Sequence, residues 1–191
     1  MPNIAVPAEH LANPIGYAIG NLAPERTAAL YEFSKLVYQR SILPLREFEA
    51  ARARVALING CAICQAFRSI DDVPTYLEGL GEDPAHGVHR NGEAPNEEFY
   101  RQIGAWREAA LYTPRERLIL EYAERFSLAP EALGHDAGFW QRFRALLSEA
   151  EIYDLTVAIA SFVAAGRLVH VLGFDSGAVC NLRELPSEAA E

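Results

Sequence analysis

The sequence predicts an all-α fold, and three observations predict it. No stretch sustains the apolar–polar alternation of a half-buried strand, whereas apolar residues recur at three- and four-residue intervals through most of the chain. Two boxes, Thr113-Pro114-Arg115-Glu116 and Ser148-Glu149-Ala150-Glu151, stand just before apolar runs and satisfy the orphan N–H groups of a helix start. Prolines fall where periodic segments begin, at Pro24, Pro44 and Pro114. The 191 residues suit a single domain.

Taken in order, residues 1–23 read as an irregular arm, punctuated by Pro2, Pro7, Pro14, Gly16 and Gly20. A helix is predicted over 24–39, with Ala28, Leu30, Tyr31, Phe33, Leu36 and Val37 towards one side. After a connector at 41–43, Pro44 opens a second helix that carries Glu49 and sets Phe48, Val55, Leu57 and Ile58 on its buried face. Asn59-Gly60 is a poor helix interior and a good stop, so this helix ends at 58 or 59 and another begins within a residue or two of Cys61. Residues 73–80 add one or two helical turns. Residues 81–95 form a loop long enough for a lid or a subunit contact. Helices follow over 97–110 and 114–128, then a loop over 130–138 and a short helix over 139–147. The longest and most apolar helix spans 149–172, is stopped by Gly173, and carries His170 as a hydrogen-bonded packing residue. Residues 174–191 form an acidic, alanine-rich tail.

A net charge of −9 excludes a general nucleic-acid or anionic-membrane binder. The first residues lack the basic-then-apolar pattern of a secretory leader, and the least polar stretch, 155–165, is too short to cross a bilayer. The expected setting is cytoplasmic. Three cysteines in such a compartment do not make a structural disulfide framework. Zinc would need two ligands beyond Cys61 and Cys64, and the candidates Cys180, His86, His89 and His135 do not recur at ligand spacing.

The chemistry concentrates at the Cys61-Ala62-Ile63-Cys64 segment. In the first turn of a helix, unpaired N–H groups and the dipole favour a thiolate. Three residues apart on a helix, the β-carbons lie about 5–6 Å from one another, so a small adjustment permits a disulfide. Glu49 precedes Cys61 by 12 residues. On one straight helix that would be about 18 Å along the axis, but a bend at Asn59-Gly60 brings the carboxylate back towards the thiols. Arg68 follows Cys64 by 4 residues, one turn on if the helix continues. It biases Cys64 towards thiolate as a fixed cation, pairs with Asp71, Asp72 or Glu49, or does both.

The run Leu43-Pro44-Leu45-Arg46-Glu47-Phe48-Glu49, followed by Asn59-Gly60-Cys61-x-x-Cys64, resembles the core of the carboxymuconolactone decarboxylase and alkylhydroperoxidase D-like family. The likeness extends through Thr113-Pro114-Arg115-Glu116-Arg117, Leu147-Ser148-Glu149-Ala150-Glu151-Ile152 and the segment Gly166 to Gly173, covering roughly residues 24–175. It implies a helical fold assembling as a homo-oligomer, a trimer or hexamer. It also implies a peroxidase site in which Cys64 attacks a hydroperoxide, Cys61 resolves the sulfenic acid and Glu49 shuttles protons. An external thiol would reopen the disulfide. No bound cofactor is needed, because the sulfurs carry the electrons. The pattern's histidine four residues after the second cysteine is Arg68 here, and arginine cannot relay protons. That leaves thiol–disulfide exchange better supported than peroxide turnover. The alternatives are a lyase of the decarboxylase branch, with Arg68 holding the carboxylate of a small ring compound, and a non-catalytic redox sensor.

Overall fold

The computed structural model describes residues 1–175, and all regular structure among them is helical. In chain order the α-helices are α1 (Pro14–Asn21), α2 (Pro24–Arg40), α3 (Leu45–Asn59), α4 (Ala62–Ala66), α5 (Ser69–Gly79), α6 (Glu97–Arg101), α7 (Pro114–Leu128), α8 (Pro130–Gly134), α9 (Ala137–Arg144) and α10 (Glu149–Val171). Cys180 and most of the 174–191 tail lie outside the described residues.

α3 is the central element, packed against both α7 and α10, while α10 also lies on α2. Its buried residues include Ala50, Ala51, Ala53 and Ala56, which let neighbouring helices approach closely, since interhelical spacing follows side-chain size. Phe48 fills the wider gap, its ring edge-on to Phe162 of α10 at 5.3 Å and to Tyr38 of α2 at 5.6 Å. Beyond α7, Tyr122 stacks on Phe143 of α9 at 4.7 Å and meets Trp140 edge-on, closing that side of the core. Both capping boxes form as the sequence predicts, Thr113 with Glu116 and Ser148 with Glu151.

The structure differs from the sequence reading at several joints. The 1–23 arm is not wholly irregular, because Asn13 accepts a hydrogen bond from the Gly16 N–H and Pro14 opens α1. The helix expected over 97–110 stops at Arg101. The Arg117 guanidinium takes the carbonyls of Trp106, Arg107 and Ala109, which a continuing helix would have used internally. Residues 130–138 include the short helix α8. The 81–95 loop is a strut rather than a lid. Asn91 Nδ2 donates to the Ser41 and Leu43 carbonyls, and its own carbonyl accepts the Leu45 N–H at the start of α3. Finally, α10 is apolar over more than 155–165: 23 residues with a most apolar window of mean hydropathy 1.6 satisfy the length and composition of a membrane span. Its Leu155, Ala158, Ile159 and Phe162 are instead part of the buried core.

Phe48→Ala should lower the unfolding free energy by about 3–5 kcal/mol in chemical denaturation. A loss below about 1 kcal/mol would contradict its place at the contact of α2, α3 and α10.

Candidate active site

The site is built on the break between α3 and α4. Gly60 caps α3 in the left-handed conformation, φ 72°. A Cβ at this position would also lie 2.9 Å from His170 Nε2, so glycine is required by conformation and by space. The preceding Asn59 is buried and keyed to α10: its Nδ2 donates to the Phe162 carbonyl at 3.0 Å and its Oδ1 accepts from Arg167 Nε at 3.1 Å. The bend predicted from Asn59-Gly60 is therefore fixed by the last helix.

Cys61 caps α4, its sulfur accepting the Cys64 N–H at 3.3 Å. The two sulfurs are joined as a disulfide across a Cα–Cα distance of 5.3 Å. Their environments differ. Cys61 has no exposed surface, whereas Cys64 is partly exposed and lines a cavity of about 170 Å³ with Arg52, Phe67, Phe162 and Val169. A second, mostly apolar cavity of about 200 Å³ beneath α1 shares the walls Ile15, Tyr31, Ser34, Ala165 and Val169 with the first.

Arg68 does not stand one turn along the cysteine helix. α4 is 5 residues long and ends at Phe67, whose ψ of 137° turns its ring onto Val73 and Leu77, and Arg68 is instead the residue before α5. Its backbone N–H donates to Asp72 Oδ2 at 2.6 Å. Its guanidinium binds Glu97 at 2.8 and 3.0 Å, donates to the Gln65 and Phe67 carbonyls, and lies 3.9 Å above the Tyr100 ring. None of these contacts is to the side chain of Cys64. Of the pairings the sequence offered, Asp72 is met through the backbone N–H of Arg68.

The arginine at the site is Arg52, which the sequence reading passed over. It lies three residues after Glu49 on the same face of α3, and that spacing among alanines was the available signal. Arg52 Nε and Nη2 bind both Glu49 oxygens, at 2.6 and 2.9 Å, with both side chains buried. Nη1 donates to the Cys64 carbonyl at 2.6 Å, and Nη2 also donates to the Phe67 carbonyl at 2.7 Å. Glu49 further accepts from the Tyr100 hydroxyl at 2.6 Å and from the Ser69 hydroxyl. Burial opposes ionisation of Glu49, but the charge and hydrogen bonds of Arg52, with those of Ser69 and Tyr100, outweigh it and hold the carboxyl below the usual range. Burial, then Glu49, pushes the Tyr100 phenol far upward, so it stays a donor.

Neither loop histidine fills the place that Arg68 left empty. His89 is buried with its Nε2 on the Pro84 carbonyl at 3.0 Å, and His86 is exposed. His170, expected as a packing residue, is half exposed and bonds through Nδ1 to Asp175.

Because Glu49 has a lower pKa folded than unfolded, its contribution to stability is present above the ordinary value of 4.5 and is lost as pH falls through the folded value. Arg52→Met leaves that carboxylate buried without its cation and should cost about 3–5 kcal/mol at pH 7. The gap to wild type should shrink near pH 4, where Glu49 in the variant is neutral. Denaturation curves at the two pH values check this, and an equal gap at both would contradict the assigned charge state.

No protein-family model matches this chain. It is 26% identical over 152 residues to the uncharacterised protein YdfG of Bacillus subtilis, covering 80% of this chain and 90% of that one. Among solved structures, a protein of unknown function from Agrobacterium tumefaciens, described as a candidate antioxidant defence protein AhpD, matches with a TM-score of 0.59 and 26% identity, covering 80% of this chain and 92% of its own. With the helical fold and the ordered motifs around a bonded Cys61–Cys64 pair, this likeness supports a relationship to alkylhydroperoxidase D-like proteins.

Proposed function

We propose that the chain is a thiol-dependent oxidoreductase that reduces organic hydroperoxides with Cys64 and is restored by thiol–disulfide exchange. The observation that carries the reading is the unequal burial of a bonded pair. Cys64 opens on an apolar cavity, and Cys61 is sealed behind it within bonding reach. In the reduced protein the Cys64 thiolate attacks the outer oxygen of the hydroperoxide, the O–O bond breaks, and the alkoxide leaves as an alcohol after taking a proton. Cys61 then attacks the Cys64 sulfenic acid, forming the disulfide and releasing water. The sum is two thiols and one hydroperoxide giving one disulfide, one alcohol and one water. An external dithiol reopens the bridge through a mixed disulfide and takes up the two electrons.

Glu49 enters this scheme as an anchor rather than a proton carrier. A carboxylate holding four hydrogen bonds below its normal pKa is a poor base, but it fixes Arg52, which fixes the Cys64 carbonyl. Arg52 also supplies the cation near Cys64 that the sequence assigned to Arg68. The Arg68 guanidinium, held by Glu97 and stacked on Tyr100, acts on the site through Tyr100 and Glu49. That commitment of Arg68 to Glu97 favours this reading over the lyase alternative, in which Arg68 would hold a substrate carboxylate. A cytoplasmic setting, which supplies the thiol reductant, and a trimeric or hexameric assembly complete the proposal.

Intact-mass measurement tests it. The reduced wild type should lose about two daltons on brief exposure to an organic hydroperoxide, and Cys61→Ser should instead accumulate a sulfenic acid about sixteen daltons heavier. Cys64→Ser should do neither. Hydroperoxide consumption by Cys64→Ser at the wild-type rate would overturn the assignment, and a single titration without turnover would point to the sensor. Since each buried methylene is worth about 0.8 kcal/mol, the apolar cavity at Cys64 should give a medium-chain aliphatic hydroperoxide at least about a tenfold higher kcat/KM than hydrogen peroxide. Equal values would exclude the cavity as the substrate site.

A further inference from the structure

The far side of the cysteine loop is held by two residues from the end of α10. α10 closes with Gly173 at φ 68°, its N–H on the His170 carbonyl at 2.9 Å and the Phe174 N–H on the Val169 carbonyl at 3.0 Å. The turn is pinned from outside by Asn3, whose backbone and side-chain N–H groups donate to the Leu172 and Val171 carbonyls, both at 2.8 Å. This reversal aims Asp175 back at the start of α4. There a single carboxylate oxygen, Oδ2, accepts the Ala62 N–H at 2.9 Å and the His170 Nδ1 at 3.0 Å. Asp175 is nearly closed to solvent, its side chain 5% exposed against 48% for His170. The His170 ring meanwhile occupies the space that a side chain at residue 60 would need.

We propose that Asp175, oriented by His170, is a positioning residue that sets the dithiol–disulfide balance of Cys61 and Cys64. Its carboxylate lies one peptide unit from Cys61, on the first N–H of the helix that Cys61 caps. A negative charge there opposes a thiolate nearby, through the like-charge effect that raises thiol pKa. The disulfide carries no such charge and is not opposed. Asp175 therefore biases the couple towards the bridged form, and its hydrogen bond keeps Cys61 in place to close the bridge. Burial opposes the charge on Asp175, but the Ala62 N–H and His170 keep its pKa below normal, so the carboxylate is present at neutral pH. Glu49 cannot act this way, because Arg52 neutralises it on the opposite side of the loop.

This inference rests on the redox reading of the pair, and its test needs no hydroperoxide. In equilibration with dithiothreitol, the Cys61–Cys64 disulfide takes two electrons and two protons from the reagent's thiols. The products are the protein dithiol and the reagent's cyclic disulfide. The ratio is read by alkylation and intact mass on the full chain. Asp175→Asn keeps an acceptor for the Ala62 N–H and removes the charge. It should shift the equilibrium about three- to tenfold towards the dithiol, tenfold being about 30 mV, and should speed alkylation of Cys64 at pH 7. His170→Ala frees the carboxylate and should move the constant in the same direction. His170→Asn offers an amide donor in place of Nδ1 and should restore it to within about twofold of wild type. With native helical content confirmed by circular dichroism, unchanged constants in Asp175→Asn and His170→Ala would overturn the inference. A wild type that equilibrates with the reagent yet ignores hydroperoxides would sink the proposed function alone. A pair that never opens would sink both.

Discussion

The Glu49–Arg52 pair is the constraint around which the molecule is arranged. A carboxylate and a guanidinium sealed inside the central helix are tolerable only if each leftover lone pair and N–H finds a partner. Glu49 recruits Ser69 and Tyr100, while Arg52 recruits the carbonyls of Cys64 and Phe67. Those partners come from α4, its C-terminal end, α5 and α6. Satisfying one buried ion pair thus fixes the end of the cysteine helix against α3. In a core that is mainly apolar, the pair contributes register more than stability.

The redox loop is consequently gripped from two sides. From the α3 side, Arg52 holds the carbonyl of Cys64, and from the α10 side, Asn59, Gly60 and Ala62 are keyed to Phe162, Arg167, His170 and Asp175. Cys64 is the member of the pair that faces the cavity. The electrostatics are divided in the same way. On one side stands a neutralised ion pair with its cationic end towards Cys64, and on the other the Asp175 carboxylate, hydrogen-bonded to His170, next to Cys61.

Much of the fold was legible because it rests on local signals. Capping boxes at Thr113 and Ser148, the Asn59-Gly60 stop and the long apolar run after Ser148 each report backbone hydrogen bonding within a few residues. The N-cap Asn13 and the early end of α6 were missed, the first because prolines and glycines masked a short helix. The second depended on Arg117, a side chain sixteen positions on from Arg101 that draws three carbonyls out of helical use. At the site, the cysteine pair and Glu49 could be read from spacing. Arg68 was misplaced because the extrapolation assumed that α4 continued, whereas Phe67 leaves the helix to join the Val73–Leu77 cluster. Arg52 and the His170–Asp175 pair were not legible as site residues, since their partners are backbone carbonyls and N–H groups that sequence does not mark.

The account stands on the two sulfurs having unequal access. Competitive alkylation of the fully reduced chain with a limiting thiol reagent, followed by peptide mapping, tests this directly. Cys64 should be modified at least about tenfold faster than Cys61. Equal labelling, or preferential labelling of Cys61, would contradict the assignment of Cys64 as the residue that meets the substrate.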